Sequence, residues 1–142
     1  MAYRIENRMG VRASSLRIWE ILADLDAWAD WNPLYPRAEG VIGLNRPIQL
    51  TEAVPGLPRR EARPVVTDYT PEQQLIWKDD RGFLANSLRY FEIEKLTDES
   101  SILANGEIFS GLRGERWGQR NRRALREAFE AVNAALKARA EA

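Results

Sequence analysis

Two oppositely charged residues stand in neighbouring stretches that otherwise read as apolar strands. Arg89 precedes Phe91 and Ile93, and Glu107 precedes Phe109, at the alternating spacing of one strand face. An arginine keeps its charge and offers a fork of donors that suits a carboxylate, a phosphate or an enolate oxygen. A carboxylate in an apolar setting can transfer protons, because burial shifts its pKa. The pair therefore has the chemistry to bind an anion or to move a proton.

Two other interpretations of this pair remain open. Arg89 and Glu107 could form a purely structural ion pair, or a shift of the strand register by one residue could turn both toward water. The arginines from Arg113 to Arg126 form most simply a solvated helix face, and Asp79–Asp80 reads as a turn.

Cysteine and histidine are both absent from the sequence. Disulfides, thiol nucleophiles, histidine-based triads and the usual zinc sites are therefore excluded, and we expect neither a metal nor another cofactor. Any acid–base chemistry must use Asp, Glu, Lys, Tyr or a bound water molecule.

Length and charge narrow the class of protein further. The 142 residues include 21 basic and 21 acidic ones, so the formal net charge is zero and nucleic-acid binding has no support. No apolar run approaches the roughly 18 residues that span a bilayer, and the start of the chain lacks the apolar stretch of a signal peptide. We expect one cytoplasmic domain over residues 1–142, without membrane insertion, as a monomer or a homodimer.

Turn residues divide most of the chain into short stretches that read as strands. Gly, Pro, Asn and Asp cluster between these stretches, for instance at Pro55–Pro58 and at Thr97–Glu99. Consecutive strands joined by short turns form an antiparallel meander. The sequence predicts seven strands, at residues 3–11, 35–43, 46–54, 61–69, 74–79, 85–96 and 100–110.

Helical spacing appears after the first strand and again at the end of the chain. Ser14 is a natural N-cap for a short helix that ends near Asp24, and a second small helix covers Asp26–Trp31. From about Gly114 onward, an apolar stripe predicts one long helix. Its predicted buried residues include Leu125, Phe129 and Val132. The predicted fold is α+β: a curled seven-stranded antiparallel sheet around the C-terminal helix, in the order strand, two helices, six strands, helix.

The hairpin between the last two predicted strands fixes their register. A turn centred on Asp98 places Arg89 opposite Glu107 and Phe91 opposite Asn105. All four side chains then share one face of the sheet, because side chains alternate along each strand.

Earlier turns extend this inner face. A turn near Gly82 places Trp77 beside Ser87 and Leu75 beside Arg89. The predicted inner face comprises Val65, Thr67, Tyr69, Leu75, Trp77, Arg89, Phe91, Ile93, Leu103, Asn105, Glu107 and Phe109. Its aromatic composition with a few polar groups suits a ligand cavity, although such a sheet face is also typical of a packed core.

A single helix is narrower than a seven-stranded sheet, so we expect a cavity where the sheet and the helices diverge. The predicted ligand contacts are Trp28, Thr67, Tyr69, Trp77, Arg89, Phe91, Asn105, Glu107, Trp117 and Asn121. Arg89 would hold the anionic end of a hydrophobic ligand. As catalytic candidates, Glu107 would act as the acid–base group and Arg89 would stabilise an oxyanion.

Several short motifs, taken in order, resemble one superfamily. They are Ala13–Asp24 followed by Trp28–Pro33, Leu75-Ile76-Trp77, Phe91-Glu92-Ile93, Glu107–Gly111 and the helix end Phe129–Lys137. In their order and spacing they resemble the SRPBCC superfamily, which includes START and Bet v 1-like proteins, and its bacterial polyketide cyclase/dehydrase branch. The resemblance covers essentially the whole chain.

This resemblance implies a helix-grip fold with a deep apolar cavity between sheet and helix. Members bind lipids, sterols, hormones or polyketides, and some catalyse cyclisation or dehydration. Bacterial relatives often carry a histidine at the position of Arg89, where this chain has a fixed cation instead of a proton-shuttling imidazole. The departure favours the binding of an anionic oxygen over histidine-type general-base chemistry.

Three functions remain open at this point. The first is the binding of a small hydrophobic ligand of the lipid, polyketide or aromatic acid type. The second is a cyclase or dehydratase-type lyase that uses Glu107 and no metal. The third is a protein-interaction module with a vestigial cavity. The absence of histidine and cysteine favours the first, because a dedicated catalytic set is hard to assemble without them.

Overall fold

Eight strands, three α-helices and one 3₁₀ helix make up residues 2–142, the part of the chain that the computed structural model describes. The strands are β1 (Ala2–Val11), β2 (Arg37–Glu39), β3 (Gln49–Glu52), β4 (Arg60–Ala62), β5 (Val65–Thr70), β6 (Gln74–Asp80), β7 (Asn86–Thr97) and β8 (Ser100–Ser110). The helices are α1 (Ser15–Ala23), the 3₁₀ helix (Leu25–Asp30), α2 (Leu112–Arg120) and α3 (Arg122–Glu141). The predicted α+β class is confirmed.

The strands form two antiparallel sheets, so the prediction of one seven-stranded sheet is wrong. The five-stranded sheet has the order β1-β8-β7-β6-β5, and β2, β3 and β4 form a separate three-stranded sheet. The predicted strand at 61–69 is two strands, β4 and β5. Pro64 stands between them and has no N–H to donate to a strand ladder, so it interrupts the pairing.

The predicted register of β7 and β8 is confirmed, and the register of β6 and β7 is wrong by two residues. Arg89 pairs with Glu107, as expected. Trp77 pairs with Arg89 rather than with Ser87, because the connection at 81–85 centres on Phe83 and not on Gly82. A shift of two residues preserves the side-chain alternation, so Trp77 still faces inward.

Strand β5 contains a bulge that the sequence analysis missed. Its ladder with β6 shifts at Thr67, and an extra residue there exchanges the faces on either side. Val66 is buried in place of Val65 and Thr67, which are exposed. Tyr69, beyond the bulge, is half-buried. The prediction of Thr67 and Val65 on the inner face is therefore wrong.

The predicted long C-terminal helix is divided at Asn121 into α2 and α3. The backbone N–H and the side-chain amide of Asn121 both donate to the carbonyl oxygen of Trp117, at 3.0 and 2.9 Å. An asparagine that binds a backbone carbonyl in this way competes with helix continuation. Helix α3 buries Leu125, Phe129 and Val132 against the sheet, as predicted.

The short helices close one end of the core. Ser14 caps α1 as predicted, because its side chain accepts a hydrogen bond from the backbone N–H of Arg17 at 3.0 Å. The second short helix is of the 3₁₀ type and inserts Trp28, whose indole N–H donates to the carbonyl of Leu22 at 3.0 Å. Among residues 2–142, no helix combines the length and the apolar character needed to cross a membrane.

An aromatic cluster fills the space between the five-stranded sheet and the helices. Trp28 lies with its ring centre 5.5 Å from Tyr35, 6.2 Å from Trp77 and 6.1 Å from Phe91. All four side chains are at most 2% exposed. The volume in which we expected an apolar cavity is occupied by these rings.

Candidate functional site

Arg89 and Glu107 meet across β7 and β8, on the side of the sheet that faces α3. Nη2 of Arg89 donates to Oε1 of Glu107, and the guanidinium carbon lies 5.2 Å from the ring centre of Phe129. Arg89 is 2% exposed and Glu107 is 0% exposed. Charges at this depth require partners that replace the lost hydration.

A second carboxylate reaches the same arginine from the smaller sheet. Nη1 of Arg89 donates to Oε1 of Glu52 at 2.7 Å and also to the hydroxyl of Tyr35. Glu52 ends β3 and is 4% exposed. The contact joins the three-stranded sheet to the five-stranded sheet through a charge-assisted hydrogen bond.

The charges continue from this buried pair toward the surface. Arg81 donates to Glu107 at 2.9 Å and lies 3.8 Å from Glu52. Arg60 donates through Nε to Glu52 at 3.0 Å and pairs with Asp79. Cations and carboxylates thus alternate in one ion-pair chain, which consists of Arg89, Glu107, Arg81, Glu52, Arg60 and Asp79.

Opposing effects set the protonation of this ion-pair chain. Burial alone would raise the pKa of Glu52, but the charges of Arg89, Arg81 and Arg60 and a hydrogen bond from Arg89 lower that pKa to about 2. Burial alone would lower the pKa of Arg89, but Glu107, Tyr35 and Glu52 hold that pKa well above the ordinary value. Burial also raises the pKa of Tyr35, against the nearby charge of Arg89. At neutral pH, Glu52 and Arg89 are charged and Tyr35 is neutral.

A pocket of about 430 Å³ opens beside the outer end of the ion-pair chain, and we call it the mouth pocket. It lies between the segment that joins β3 to β4, the connection from β6 to β7, and the first turns of α2. Its lining residues are Glu52, Val54, Leu57, Pro58, Arg59, Arg60, Arg81, Gly82, Phe83, Ala85, Arg113 and Trp117. Apolar walls with a small number of charged groups are the composition of a small-molecule site.

Four arginines and one glutamate carry the charge in the mouth pocket. Arg60 and Arg81 belong to the ion-pair chain and are matched by carboxylates. Arg59 and Arg113 are exposed, and no carboxylate of residues 2–142 lies within 4.0 Å of either. The rim of the pocket therefore carries positive charge that is free to meet an anion.

Arg81 connects the pocket wall to the buried charges. Its guanidinium carbon lies 4.3 Å from the ring centre of Trp117, which is the geometry of a cation–π contact. The ring of Phe109 packs against Trp117, at 5.7 Å between ring centres, and its own ring centre lies 5.8 Å from the same guanidinium carbon. Nε of Arg81 is buried without a hydrogen-bond partner, so one donor of a pocket-lining side chain remains unused.

Most of the predicted ligand contacts lie in the closed core and not in a pocket. Trp28, Trp77, Phe91 and Asn105 are at most 1% exposed, and Arg89 and Glu107 are the inner end of the ion-pair chain. None of these six residues lines the mouth pocket. Trp117 does line it, on the side that α2 contributes.

The remaining predicted contacts lie at the periphery. Tyr69 stacks on Trp19, with ring centres 6.5 Å apart, and Thr67 is the exposed bulge residue of β5. Asn121 marks the junction of α2 and α3, and its amide is engaged by the backbone of Trp117. The structure does not bring these three residues together.

The side-chain amide of Asn105 is buried and forms no hydrogen bond. The side chain is 1% exposed, and neither its oxygen nor its nitrogen has a hydrogen-bond partner. Ser87 Oγ, on the same strand pair, is likewise buried without a partner. Buried polar atoms of this kind are costly unless a water molecule or a ligand satisfies them.

Sequence reasoning missed Glu52, Arg60 and Arg81 as members of the site. The prediction of a turn at Asp79–Asp80 is wrong, because both residues end β6 and Asp79 is buried beside Arg60. A signal for Glu52 exists, because it stands at alternating spacing with three large apolar residues that are buried, Ile48, Leu50 and Val54. A carboxylate on a buried, apolar strand face is stable only when it is paired, so it predicts a cation nearby. No comparable signal exists for Arg81, which follows two aspartates in an apparent turn.

A metal centre is not evident in the described chain. Residues 2–142 contain no group of three or more Asp or Glu side chains placed to hold a metal ion. The carboxylates of the ion-pair chain are each matched by arginines.

Three solved structures illustrate what this fold is similar to. A START superfamily protein from Mycobacterium smegmatis has 21% identity and a TM-score of 0.73, with 97% of each chain covered. A point mutant of norcoclaurine synthase from Thalictrum flavum, in complex with a transition-state analogue, has 12% identity and a TM-score of 0.74, covering 99% of this chain and 94% of that one. These likenesses show the fold alone.

The third structure is the di-domain ARO/CYC StfQ from the steffimycin biosynthetic pathway. StfQ has 15% identity to this chain and a TM-score of 0.77. The match covers 99% of this chain and 51% of StfQ. This chain thus spans about half of StfQ. No curated protein sequence matches the chain.

The family profile described as "Polyketide cyclase / dehydrase and lipid transport" matches residues 3–141. The match runs through both sheets and all the helices, including every member of the ion-pair chain. The predicted superfamily is confirmed: this chain belongs to the polyketide cyclase/dehydrase and lipid transport family, within the START and Bet v 1-like superfamily.

Proposed function

We propose that this protein binds a small hydrophobic acid, of the aromatic or polyketide type, in the mouth pocket. The observation that carries the proposal is the pairing of apolar walls with unmatched arginines in one concave space of about 430 Å³. Small-molecule sites fall in the range of about 300–1,000 Å³. The anionic end would meet Arg59 and Arg113, and the apolar body would lie against Trp117 and Leu57.

The charge of the pocket supports an acid over a neutral ligand. Arg59 and Arg113 have no carboxylate partner among residues 2–142, whereas Arg60 and Arg81 are already paired. An arginine that accepts a carboxylate forms two parallel, charge-assisted hydrogen bonds. A neutral ester of the same body would lose the charge and the paired geometry, and would keep the apolar contacts and at most a weaker hydrogen bond to its carbonyl oxygen.

The state of the carboxylates supports binding over proton transfer. Glu52 is the carboxylate that lines the pocket, and with a pKa of about 2 it is a weak base and stays ionised at neutral pH. Both oxygens of Glu107 accept hydrogen bonds from arginines, and its side chain is 0% exposed. Glu52 is therefore too weak a base for efficient proton transfer, and Glu107 is out of reach of a molecule in the mouth pocket.

The test is a tryptophan-fluorescence titration with phenolic and fatty acids, each paired with its neutral methyl ester. We expect saturable binding near one ligand per chain, stronger for each acid than for its ester. Replacing Arg113→Leu should weaken the acid at least about tenfold, since a hydrogen bond to a charged group contributes about 1.5–3 kcal/mol. The affinity for the ester should change much less, because a neutral hydrogen bond contributes less than a charge-assisted one. Trp117→Phe should remove most of the signal, because this ring lines the pocket.

Arg126→Leu is the matched control. Arg126 is an exposed arginine of α3 that does not line the pocket, so its loss removes the same charge from a different place. Equal affinity of acid and ester, or equal weakening by the Arg113 and Arg126 variants, would count against the proposed site.

A further inference from the structure

Arginines are concentrated in one short segment of an otherwise neutral chain. Residues 113–126 contain six of the 21 basic residues and a single acidic residue, Glu115. Helix α2 and the first turns of α3 form this segment. The local field there is positive although the net charge of the whole chain is zero.

The exposed side chains of α2 lie on one face of that helix. Leu112, Arg113, Arg116 and Arg120 are all exposed, and the helix buries Gly114 and Gly118. At 3.6 residues per turn, the four exposed positions fall within an arc of about 100°. The two buried glycines let α2 lie close to the sheet, so the arginine face points to solvent.

Large apolar side chains project beside this arginine face. Phe83 is 77% exposed, Leu112 is 61% exposed and Leu84 is 45% exposed. The carbonyl of Leu84 accepts hydrogen bonds from the backbone N–H groups of Arg113 and Gly114, at 3.1 and 3.0 Å. These bonds fix the tip of the β6–β7 connection next to the start of α2, so the apolar and basic side chains form one surface.

We propose that this basic apolar surface, which consists of Phe83, Leu84, Leu112, Arg113, Arg116 and Arg120, binds the headgroup region of an anionic membrane. The leucines and the phenylalanine enter the boundary between headgroups and acyl chains, and the arginines meet the anionic lipids. The contact is peripheral. It stands independently of the ligand proposed above.

The shape of the surface favours a membrane over an acidic protein. The apolar groups form a protruding tip, whereas a stable protein interface buries about 800 Å² on each partner in a well-packed patch. A bilayer adapts to a protruding tip and offers anionic charge over a wide area. The acidic neighbours do not cancel the positive charge, because Asp80 and Glu115 are two carboxylates beside the six arginines of residues 113–126.

The mouth pocket adjoins the same surface. Phe83 and Arg113 line the pocket and also belong to the basic apolar surface. A membrane bound there would lie directly at the opening of the pocket, so a hydrophobic molecule could pass between them without crossing bulk water.

The test is flotation of the full chain with vesicles. One set contains phosphatidylglycerol and phosphatidylcholine in equal parts, and the other contains phosphatidylcholine alone. We expect flotation with the anionic vesicles only, and its loss at high salt, where the Debye length falls from about 10 Å to about 3 Å. The double variant Arg116→Gln/Arg120→Gln should reduce the partition coefficient by more than about tenfold, since each basic residue near the surface contributes about fivefold. Leu112→Ser should also reduce it.

Arg116, Arg120 and Leu112 do not line the mouth pocket, so these variants should bind the small acid as tightly as the unchanged protein does. The matched control is Arg46→Gln/Arg63→Gln, which removes two exposed arginines from outside α2. Equal flotation with both vesicle types, or equal losses in the two double variants, would overturn the proposal. Binding to polyglutamate without binding to any vesicle would also overturn it, in favour of an acidic protein partner.

Discussion

Arg89 illustrates how a buried charge is stabilised in this protein. Its guanidinium donates to Glu107, Glu52 and Tyr35, and the ring of Phe129 lies 5.2 Å from its central carbon. Each partner comes from a different element, so the cation ties β8, β3 and the segment before β2 to β7. Loss of a single carboxylate leaves this buried cation with only part of its charge compensated.

Glu107→Ala should therefore lower the free energy of unfolding by about 3–5 kcal/mol. The substitution leaves Arg89 and Arg81 without their shared carboxylate. Urea denaturation followed by far-UV circular dichroism measures the effect. Glu94→Ala is the control: Glu94 is an exposed residue of β7 that pairs with Arg8 at 3.3 Å, and its loss should cost at most about 1 kcal/mol. Similar small effects of both substitutions would contradict the role of the ion-pair chain.

Glu52 should make the protein sensitive to acid. Its pKa in the folded protein is lowered from the ordinary 4.5 to about 2, so the folded state holds the proton less tightly than the unfolded chain. The stabilisation is complete above pH 4.5 and is lost as the pH falls toward 2. The difference corresponds to about 3 kcal/mol.

Denaturation midpoints measured across this acidic range test the prediction. Glu52→Gln should show a flatter dependence of stability on pH than the unchanged protein. Glu99→Gln, a change at an exposed turn residue, should leave the dependence as it is. A Glu52→Gln variant with an unaltered slope would show that this carboxylate does not keep its low pKa.

How far single residues could be predicted depends on the local signal around each one. The Arg89–Glu107 pair followed from the hairpin at Asp98, because a short turn fixes the register of both its strands. Glu52 and Arg81 come from segments that are far from this hairpin in sequence. Their meeting depends on how the second sheet packs, and side-chain alternation within one strand does not contain that information.

At the scale of elements, α3 packs on the five-stranded sheet through Phe129, the one aromatic side chain of this helix. Phe129 is 0% exposed, so Phe129→Ala should cost about 3–5 kcal/mol through lost burial and the cavity left behind. Thermal or urea unfolding measures this cost. Arg126→Ala, an exposed change one turn earlier in the same helix, should stay within about 0.5 kcal/mol. A neutral Phe129→Ala would mean that α3 does not pack as described.

Helix α2 depends on a close approach at Gly118. A Cβ atom added there would lie 2.6 Å from Cδ2 of Phe109, whose ring is buried against Trp117. Gly118→Ala should therefore destabilise the protein by about 1–3 kcal/mol, although alanine is the better helix former. At Gly10 an added Cβ meets nothing within 4 Å, so Gly10→Ala should cost little. Stabilisation by Gly118→Ala would contradict this packing.

Whole elements were predictable where periodicity was strong and short-range. The strand β1, the Ser14-capped helix and the buried stripe of α3 all follow from local patterns. The bulge at Thr67 and the break at Asn121 do not. The bulge inserts one residue into the alternation, and the break changes the backbone angles of one residue, which the spacing of apolar residues does not reveal. A single inserted residue reverses every later assignment of faces in its strand.

In the molecule as a whole, the proposed binding site lies at the rim of the fold, because aromatic side chains fill its centre. The aromatic cluster of Trp28, Tyr35, Trp77 and Phe91 occupies the middle of the fold. The mouth pocket lies at the outer end of the ion-pair chain, between the segment that joins β3 to β4, the β6–β7 connection and α2. The family signature could be recognised in the sequence, but the position of the open space depends on side-chain packing across two sheets.

The most direct test of the mouth pocket as the binding site is a crystal structure of the protein with the acid that binds most tightly in the titration. We predict that a carboxylate oxygen lies within about 3.2 Å of a guanidinium nitrogen of Arg59 or Arg113, with the apolar body against Trp117. The aromatic cluster should keep its packing. A ligand found between α3 and the sheet, among Trp77 and Phe91, would contradict the mouth pocket as the binding site.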